Sequence, residues 1–251
     1  MTQEAAGEET FISHLVELRD RLVRAAIGVA IVCGVLMLWP GPARIYDLLA
    51  APMLASLPPG AKMIATGVAA PFLVPMKVTL VLALILALPW VFYQAWAFIA
   101  PGLYAHEKRL VLPLVISSSF LFIAGVAFCY FLVFGRVFHF IADFAPSSIA
   151  VMPDIENYLD FVMSMCLAFG ATFEVPVVVV ILVRMGIVSV EKLRSIRPYT
   201  IVGAFVIAAI VTPPDVVSQL ALAIPMCLLF ELGLLLAPVF VRISRAPEEP
   251  A

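Results

Sequence analysis

The sequence predicts an all-α integral membrane protein with six transmembrane helices, and three observations lead to that fold class. Of its 251 residues, 64% are hydrophobic, and the mean hydropathy is +1.12. Only 13% are charged, whereas about 25% are charged in soluble domains. A spanning helix needs about 20 mostly apolar residues, and most of the chain divides into such segments. We therefore expect a single polytopic membrane domain over residues 1–251, with its six-span core at residues 22–238.

The six apolar segments differ in length. We place them at about residues 22–39, 71–98, 110–134, 158–185, 199–211 and 220–238. At 1.5 Å per residue the fifth segment extends about 20 Å, less than the roughly 30 Å of the hydrocarbon core. We predict that helices 5 and 6 are both short and that the bilayer beside them is locally thin.

The first 21 residues and the basic loops predict the orientation. Residues 11–22, FISHLVELRDRL, place apolar residues at helical spacing with charges between them, which predicts an amphipathic helix at the membrane surface. Lysine and arginine are concentrated on one side of the membrane domain; the loops of the other side carry Arg44, Lys62 and Arg136. Because cytoplasmic loops are enriched in these residues, we expect both the N-terminal segment 1–21 and the tail 239–251 to be cytoplasmic.

Glu174 is the strongest candidate for a polar site inside the membrane. It lies in FGATFEVPV, two residues before Pro176. An ionisable side chain within a span is costly, and it is a functional hypothesis by default. Because Pro176 removes a helical hydrogen bond, the pair predicts a kinked helix whose carboxylate lines a polar cavity. The alternative is a protonated glutamate bonded to a carbonyl that the proline frees.

Two further acids, Glu17 and Glu107, lie at span entrances on the basic side. Glu17 can pair with Arg21 four residues later, and such surface ion pairs contribute about 0–1 kcal/mol to stability. The alternative is functional, because each carboxylate can accept a bidentate fork from an arginine that a lysine cannot reproduce. The sequence pattern leaves both interpretations open.

Motifs of enzymes and of nucleic-acid-binding proteins are missing from the sequence. It contains no nucleophile elbow, zinc-protease, P-loop or dinucleotide-binding motif. The three histidines, His14, His106 and His139, are scattered rather than clustered as metal ligands. The net charge is −2, and there is no basic arm. We expect no catalytic activity, no cofactor or metal, and no nucleic-acid partner.

Several segments, in order, resemble one family: TatC, the multispanning core subunit of the twin-arginine protein translocase. The matching segments are FISHLVELRDRL (11–22), YQAWAFIAPGLYAHEKRL (93–110), FGATFEVPV (169–177), RPY (197–199), TPPDVVSQ (212–219) and FELG (230–233). Each segment alone is a weak signal, but the ordered set covers nearly the whole chain.

The resemblance implies a six-helix protein with the shape of a cupped hand, in the bacterial cytoplasmic (inner) membrane. It implies export of folded proteins, driven by the proton-motive force, and recognition of signal peptides that bear consecutive arginines. Glu17 and Glu107 match the family's two recognition acids. Arg19 and Phe98 fall in the same motifs and become candidate members of the signal-peptide site.

The resemblance also assigns candidate roles on the membrane and outer sides. Glu174 matches the family's buried glutamate, Asp215 its acid in the last outer loop, and Pro52 a sensitive proline of the first outer loop. Thr212 and Gln219 match positions that receive single-span partner subunits of the TatA and TatB type. Self-association in a multisubunit receptor complex is implied as well.

The sequence departs from the family pattern at one position, and it leaves one alternative function open. Gly67 stands where the family often has an acid, so we assign no anionic role to residues 63–72. The alternative function is a proton-coupled secondary transporter of a small solute, with Glu174 as the proton carrier. No internal repeat is visible, and such repeats are common in secondary transporters.

Overall fold

The computed structural model describes residues 2–56, 62–99, 111–144, 152–212 and 215–244. These residues are almost entirely helical, with one isolated parallel bridge between Ile64 and Asp154. The helices are α1 (Thr2–Leu38), α2 (Pro42–Ser56), α3 (Ala70–Leu86), α4 (Leu88–Ile99), α5 (Val111–Phe128), α6 (Phe134–Phe144), α7 (Ile155–Phe173), α8 (Val175–Arg184), α9 (Val190–Ser195), α10 (Arg197–Val211) and α11 (Val216–Ser244). A π-helical turn, Cys129–Val133, joins α5 to α6.

Helix α1 contains both the predicted surface helix and the predicted first span, without a break between them. It ends at the sequence PGP, where Gly41 has a φ of 90° and its N–H donates to the Leu36 carbonyl at 3.1 Å. A positive φ favours glycine, and this residue therefore allows the sharp turn into α2.

The apolar helices confirm a multi-pass helical membrane protein. Within the described residues, four segments are long and apolar enough to cross a bilayer: Ser13–Leu38, Leu112–Phe140, Ile155–Arg184 and Val216–Val239. The pair α3 and α4 forms a further candidate that is bent by 54°, and α10 is a shorter apolar helix. These elements lie where the six spans were predicted; the number of spans and the side of the termini stay predictions.

Helices 5 and 6 were both predicted to be short, and the structure agrees for only one of them. Helix α10 has 15 residues, or about 22 Å, so the prediction of a short fifth helix is confirmed. The prediction of a short sixth helix is wrong, because α11 has 29 residues and its apolar segment of 24 residues extends about 36 Å. The reason lies at its start: the Ser218 N–H donates to Asp215 Oδ1 at 2.7 Å, so the helix begins inside the predicted loop, and Pro225 and Pro238 do not end it.

The chain forms two compact units, Met1–Ile45 with Met76–Ser119 and Tyr46–Pro75 with Phe120–Ala251. In the first unit α1 packs against α4. In the second unit α8 packs along α11, and its fully buried side chains include Phe134, Leu159, Phe169, Leu222 and Leu234. Many large apolar side chains are exposed, among them Leu38, Phe120 and Ile210, as expected when the solvent is lipid.

Candidate functional site

The N-terminal half of α1 carries the acid of the predicted signal-peptide site. Glu17 is half-buried, and its Oε1 accepts two hydrogen bonds from Arg21, from Nε at 3.1 Å and from Nη2 at 2.9 Å. This confirms the i,i+4 pair expected from the sequence. The carboxylate of Glu17 therefore already holds a guanidinium, through one of its two oxygens.

The other members of this predicted site are divided between α1 and α4. Arg19 is exposed and pairs with the adjacent Asp20 at 2.8 Å. Phe98, near the end of α4, stacks on His14 with ring centroids 4.4 Å apart. Because His14 precedes Glu17 by three residues in α1, the stacking brings the end of α4 to the helical turn that leads to Glu17. Glu107, the second predicted acid, lies outside the described residues.

Glu174 lies at the break between α7 and α8. It has helical torsion angles, φ −76° and ψ −16°, and its N–H donates to the Ala171 carbonyl at 3.1 Å. Pro176, at the start of α8, cannot donate to the Thr172 carbonyl four residues earlier. The Glu174 side chain is partly buried and its Oε1 is inaccessible to solvent. The carboxylate thus lies at a break in the helix within a hydrophobic span, and the polar cavity expected beside it stays a prediction.

Three predicted residues come together where α10 leads into α11. Thr212 is buried, and its hydroxyl donates to the Ala208 carbonyl at 2.8 Å. Asp215 caps α11 through the Ser218 N–H, and the Gln219 side chain donates to the Phe205 carbonyl at 3.3 Å. Each of these residues makes a hydrogen bond to the chain's own backbone, at the end of α10 or at the start of α11.

Pro52 lies inside α2, where it changes the hydrogen bonding of the helix. It has no N–H to donate to the Leu48 carbonyl four residues earlier. The Tyr130 hydroxyl donates to that carbonyl at 2.7 Å, and the Tyr158 hydroxyl donates to the neighbouring Leu49 carbonyl at 2.9 Å. Two tyrosines therefore attach α2 to the π-helical turn and to α7.

Asp154 links two loops within the same unit. Its Oδ2 accepts hydrogen bonds from the Thr66 hydroxyl at 2.7 Å and the Thr66 N–H at 3.0 Å, and its Oδ1 caps α7 through the N–H groups of Glu156 and Asn157. These bonds, that of the Thr66 hydroxyl above all, hold the pKa of the Asp154 carboxyl below its ordinary value. The preceding residues add a backbone bond, Ile64 N–H to the Pro153 carbonyl at 3.0 Å.

The RPY and FELG segments meet through an ion pair. Arg197, the first residue of α10, donates from Nη2 to Oε2 of Glu231 in α11 at 2.5 Å. Both side chains are about half exposed. The pair joins the start of α10 to the middle of α11.

Comparison with known proteins identifies the family. The family model described as Sec-independent protein translocase protein (TatC) matches residues 13–225. The chain belongs to the TatC family. The TatC protein of Azotobacter chroococcum mcd 1 is 52% identical, over 96% of this chain and 92% of that protein. The TatC protein of Escherichia coli (strain K12) is 50% identical, over 96% of this chain and 93% of that protein.

A solved TatC structure has the same fold. The crystal structure of the twin-arginine translocase receptor TatC superposes with a TM-score of 0.79 and 37% sequence identity, over 90% of this chain and 98% of that chain. The match confirms the resemblance found in the sequence. Residues 13–225, which the family model matches, contain every predicted site residue. The role of each of these residues in this TatC protein stays a prediction.

The structure separates the predicted site residues into two groups. Glu17, Arg19 and Phe98 belong to the first compact unit, whereas Pro52, Glu174, Thr212, Asp215 and Gln219 belong to the second. Sequence reasoning missed the stacking role of His14 and the donor roles of Tyr130 and Tyr158. The signal available for Tyr130 was indirect: a proline inside a predicted helix leaves one carbonyl that needs another donor.

Proposed function

We propose that this chain is the core receptor subunit of a Sec-independent, twin-arginine protein translocase that exports folded proteins using the proton-motive force. Family membership and the match to the twin-arginine translocase receptor structure support this function over the alternative of a proton-coupled solute transporter. TatC proteins form part of a protein translocase, and we assign no catalytic step to this chain.

The observation that carries the recognition mechanism is the Glu17–Arg21 pair. In the free protein, Arg21 occupies the Glu17 carboxylate as an incoming signal-peptide arginine would. The peptide arginine then replaces Arg21 at the Glu17 carboxylate. The free-energy cost of this exchange is small because the carboxylate is hydrogen-bonded to a guanidinium both before and after it. A lysine forms only a point contact with a carboxylate, so a twin-lysine peptide competes poorly with Arg21.

The surroundings of Glu17 suggest how the peptide is oriented. Phe98 stacks on His14 and gives this end of the unit an aromatic surface beside the acid. We assign the first arginine to Glu17, the second to Glu107, and peptide positioning to Arg19 and Phe98. Two separate carboxylates then favour two arginines over one.

The second group of residues is proposed to serve later steps. Thr212 and Gln219 receive single-span partner subunits of the TatA and TatB type beside α10, which at about 22 Å is shorter than the hydrocarbon core. Glu174 is the polar site that the inserted signal approaches, while Pro52 and Asp215 shape the outer face. Copies of the chain associate in a receptor complex in the bacterial inner membrane, with both termini cytoplasmic.

Binding of a purified twin-arginine precursor to detergent-solubilised protein tests the recognition step. We expect Glu17→Gln to weaken binding about tenfold or more, the effect of losing charge-assisted hydrogen bonds of about 1.5–3 kcal/mol. Asp47→Asn removes one exposed carboxylate outside the assigned residues and serves as the control, with affinity unchanged within about twofold. Wild-type affinity in Glu17→Gln, or equal binding of a twin-lysine precursor by the wild-type protein, contradicts the proposal.

A further inference from the structure

A groove of about 450 Å³ runs along the contact between α1 and the bend of α3 and α4. On the α1 side it is lined by residues 24, 27, 28, 31 and 32, which recur at helical spacing and so form one face. Leu86, Pro89 and Trp90 line the opposite side. Along α1 the groove extends about 12 Å from Arg24 to Val32.

One tryptophan fixes the geometry of the groove. The Trp90 indole N–H donates to the Arg24 carbonyl at 2.9 Å, and the ring lies against Gly28. A Cβ at residue 28 would clash with the Trp90 ring in this position, so a larger residue there requires the indole to move. Tryptophan has an apolar ring and one polar edge, and it is enriched where hydrocarbon meets the head groups.

The charge at the groove is uncompensated within the described part of the chain. Arg19 pairs with Asp20 and Arg21 pairs with Glu17, whereas the exposed Arg24 forms no salt bridge with a described residue. The remaining groove residues are apolar, and Ile27 and Ile31 are both more than half exposed. The surface therefore combines one available guanidinium with an apolar channel that leads away from it.

We propose that this groove binds one anionic phospholipid, with its phosphate on Arg24 and one acyl chain along Ile27, Ile31 and Leu86. A guanidinium forms bidentate, charge-assisted hydrogen bonds with a phosphate, and basic pockets between spans bind anionic head groups. A protein helix is a poorer occupant, because helices pack at 8–10 Å between axes and Trp90 projects beside the channel. This site is separate from the proposed signal-peptide residues.

Native mass spectrometry of the detergent-purified full chain tests the proposal. The protein is mixed with equimolar dioleoyl phosphatidylglycerol and dioleoyl phosphatidylcholine, and the two lipid adducts are compared. We expect wild type to prefer phosphatidylglycerol and Arg24→Gln to lower that preference about five- to tenfold, the loss of one charge-assisted contact. Arg44→Gln removes an exposed cation elsewhere in the same unit and should keep the preference.

A second arm identifies the occupant in membranes. Phosphatidylglycerol with a photoreactive group in its acyl chain should label residues 27–32, and Ile31→Trp, which fills the channel, should abolish that label. The proposal is overturned if Arg24→Gln retains the wild-type preference or Arg44→Gln loses it equally. It is also overturned if the label falls elsewhere, or if residues 27–32 crosslink to a protein helix instead of to lipid.

Discussion

Two hydrophobic segments of this molecule are interrupted next to a proline, but only the first of the two is sharply bent. Ala87 separates α3 from α4 and Glu174 separates α7 from α8, and in each case a proline follows two residues later, Pro89 or Pro176. The first pair is bent by 54°, whereas the second continues as one span of 30 residues, Ile155–Arg184.

The neighbouring helices account for the difference. Near the first break, Trp90 is fixed to α1 by its hydrogen bond to the Arg24 carbonyl and by its contact with Gly28. At the second, α11 lies directly on the start of α8: a Cβ at Gly233 would lie 2.9 Å from Val179 Cβ and 3.0 Å from Pro176 Cα. A proline removes one helical hydrogen bond and so permits a bend, and the packing decides whether the helix bends.

Replacing the glycine at each of these contacts tests the role of packing, and we expect the larger effect at the α7–α8 span. Gly233→Ala places a methyl group against the backbone of Pro176, which cannot rotate away. We expect a loss of about 1–3 kcal/mol of stability, measured as a lower midpoint of thermal unfolding in detergent. Gly28→Ala meets the side chain of Trp90, which is 44% exposed and can turn toward lipid, so its loss should be smaller.

A third glycine provides the control for that experiment. Gly203 lies within α10, and a Cβ there would meet no atom within 4 Å beyond the neighbouring backbone of its own helix. Gly203→Ala should leave the midpoint unchanged or raise it, because alanine in a helix is favoured over glycine by about 0.5–1 kcal/mol. If Gly28→Ala destabilises more than Gly233→Ala, packing does not explain why only one span is bent.

Pro52 is another proline inside a helix, and the carbonyl that it leaves without a helical N–H donor accepts from Tyr130. Tyr130→Phe removes the hydroxyl that bonds to the Leu48 carbonyl, and we expect a loss of about 0.5–1.5 kcal/mol. In Pro52→Ala a backbone N–H is available to the same carbonyl. Tyr130→Phe should therefore cost less in the Pro52→Ala background, and a double-mutant cycle of unfolding midpoints measures the difference. Additive effects would show that Tyr130 and Pro52 act independently.

How far the sequence predicts this molecule depends on the range of the interactions involved. The apolar segments, the short α10 and the Glu17–Arg21 pair follow from local composition and spacing, and all three agree with the structure. The length of α11 was missed because its start depends on the Asp215 side chain and not on hydropathy.

Long-range contacts were beyond a single sequence. The Arg197–Glu231 pair spans 34 positions, and the Tyr158–Leu49 hydrogen bond spans 109. Nothing local to Tyr158 indicates that its hydroxyl bonds to a distant helix carbonyl. The ordered motifs nevertheless led to the correct family, because a family can be identified from residue types and their order without knowledge of the contacts that the residues make.

The two interrupted segments also begin differently, and the smallest effect is expected from this difference. The bent segment begins at α3 with backbone bonds such as Ala70 N–H to the Gly67 carbonyl, whereas α7 begins on the charged cap of Asp154. The hydrogen bonds from Thr66, Asn157 and Glu156 lower the pKa of the Asp154 carboxyl in the folded protein. Ionised Asp154 therefore stabilises the fold above its unfolded pKa of about 4, and this contribution is lost as the pH falls through the lower, folded pKa.

The corresponding measurement is the unfolding midpoint of wild type and Asp154→Asn between about pH 7 and pH 3, the range that brackets ordinary carboxyl titration. The variant should unfold at a lower temperature near neutral pH, because its amide cannot replace a carboxylate that accepts hydrogen bonds on both oxygens. The gap between the two proteins should narrow below about pH 4, as wild-type Asp154 becomes protonated. Asp47→Asn removes an exposed carboxylate from the same unit, and its gap to wild type should be small at every pH. A gap for Asp154→Asn that stays constant down to pH 3 would mean that the Thr66 contact stabilises this cap through its shape and not through its charge.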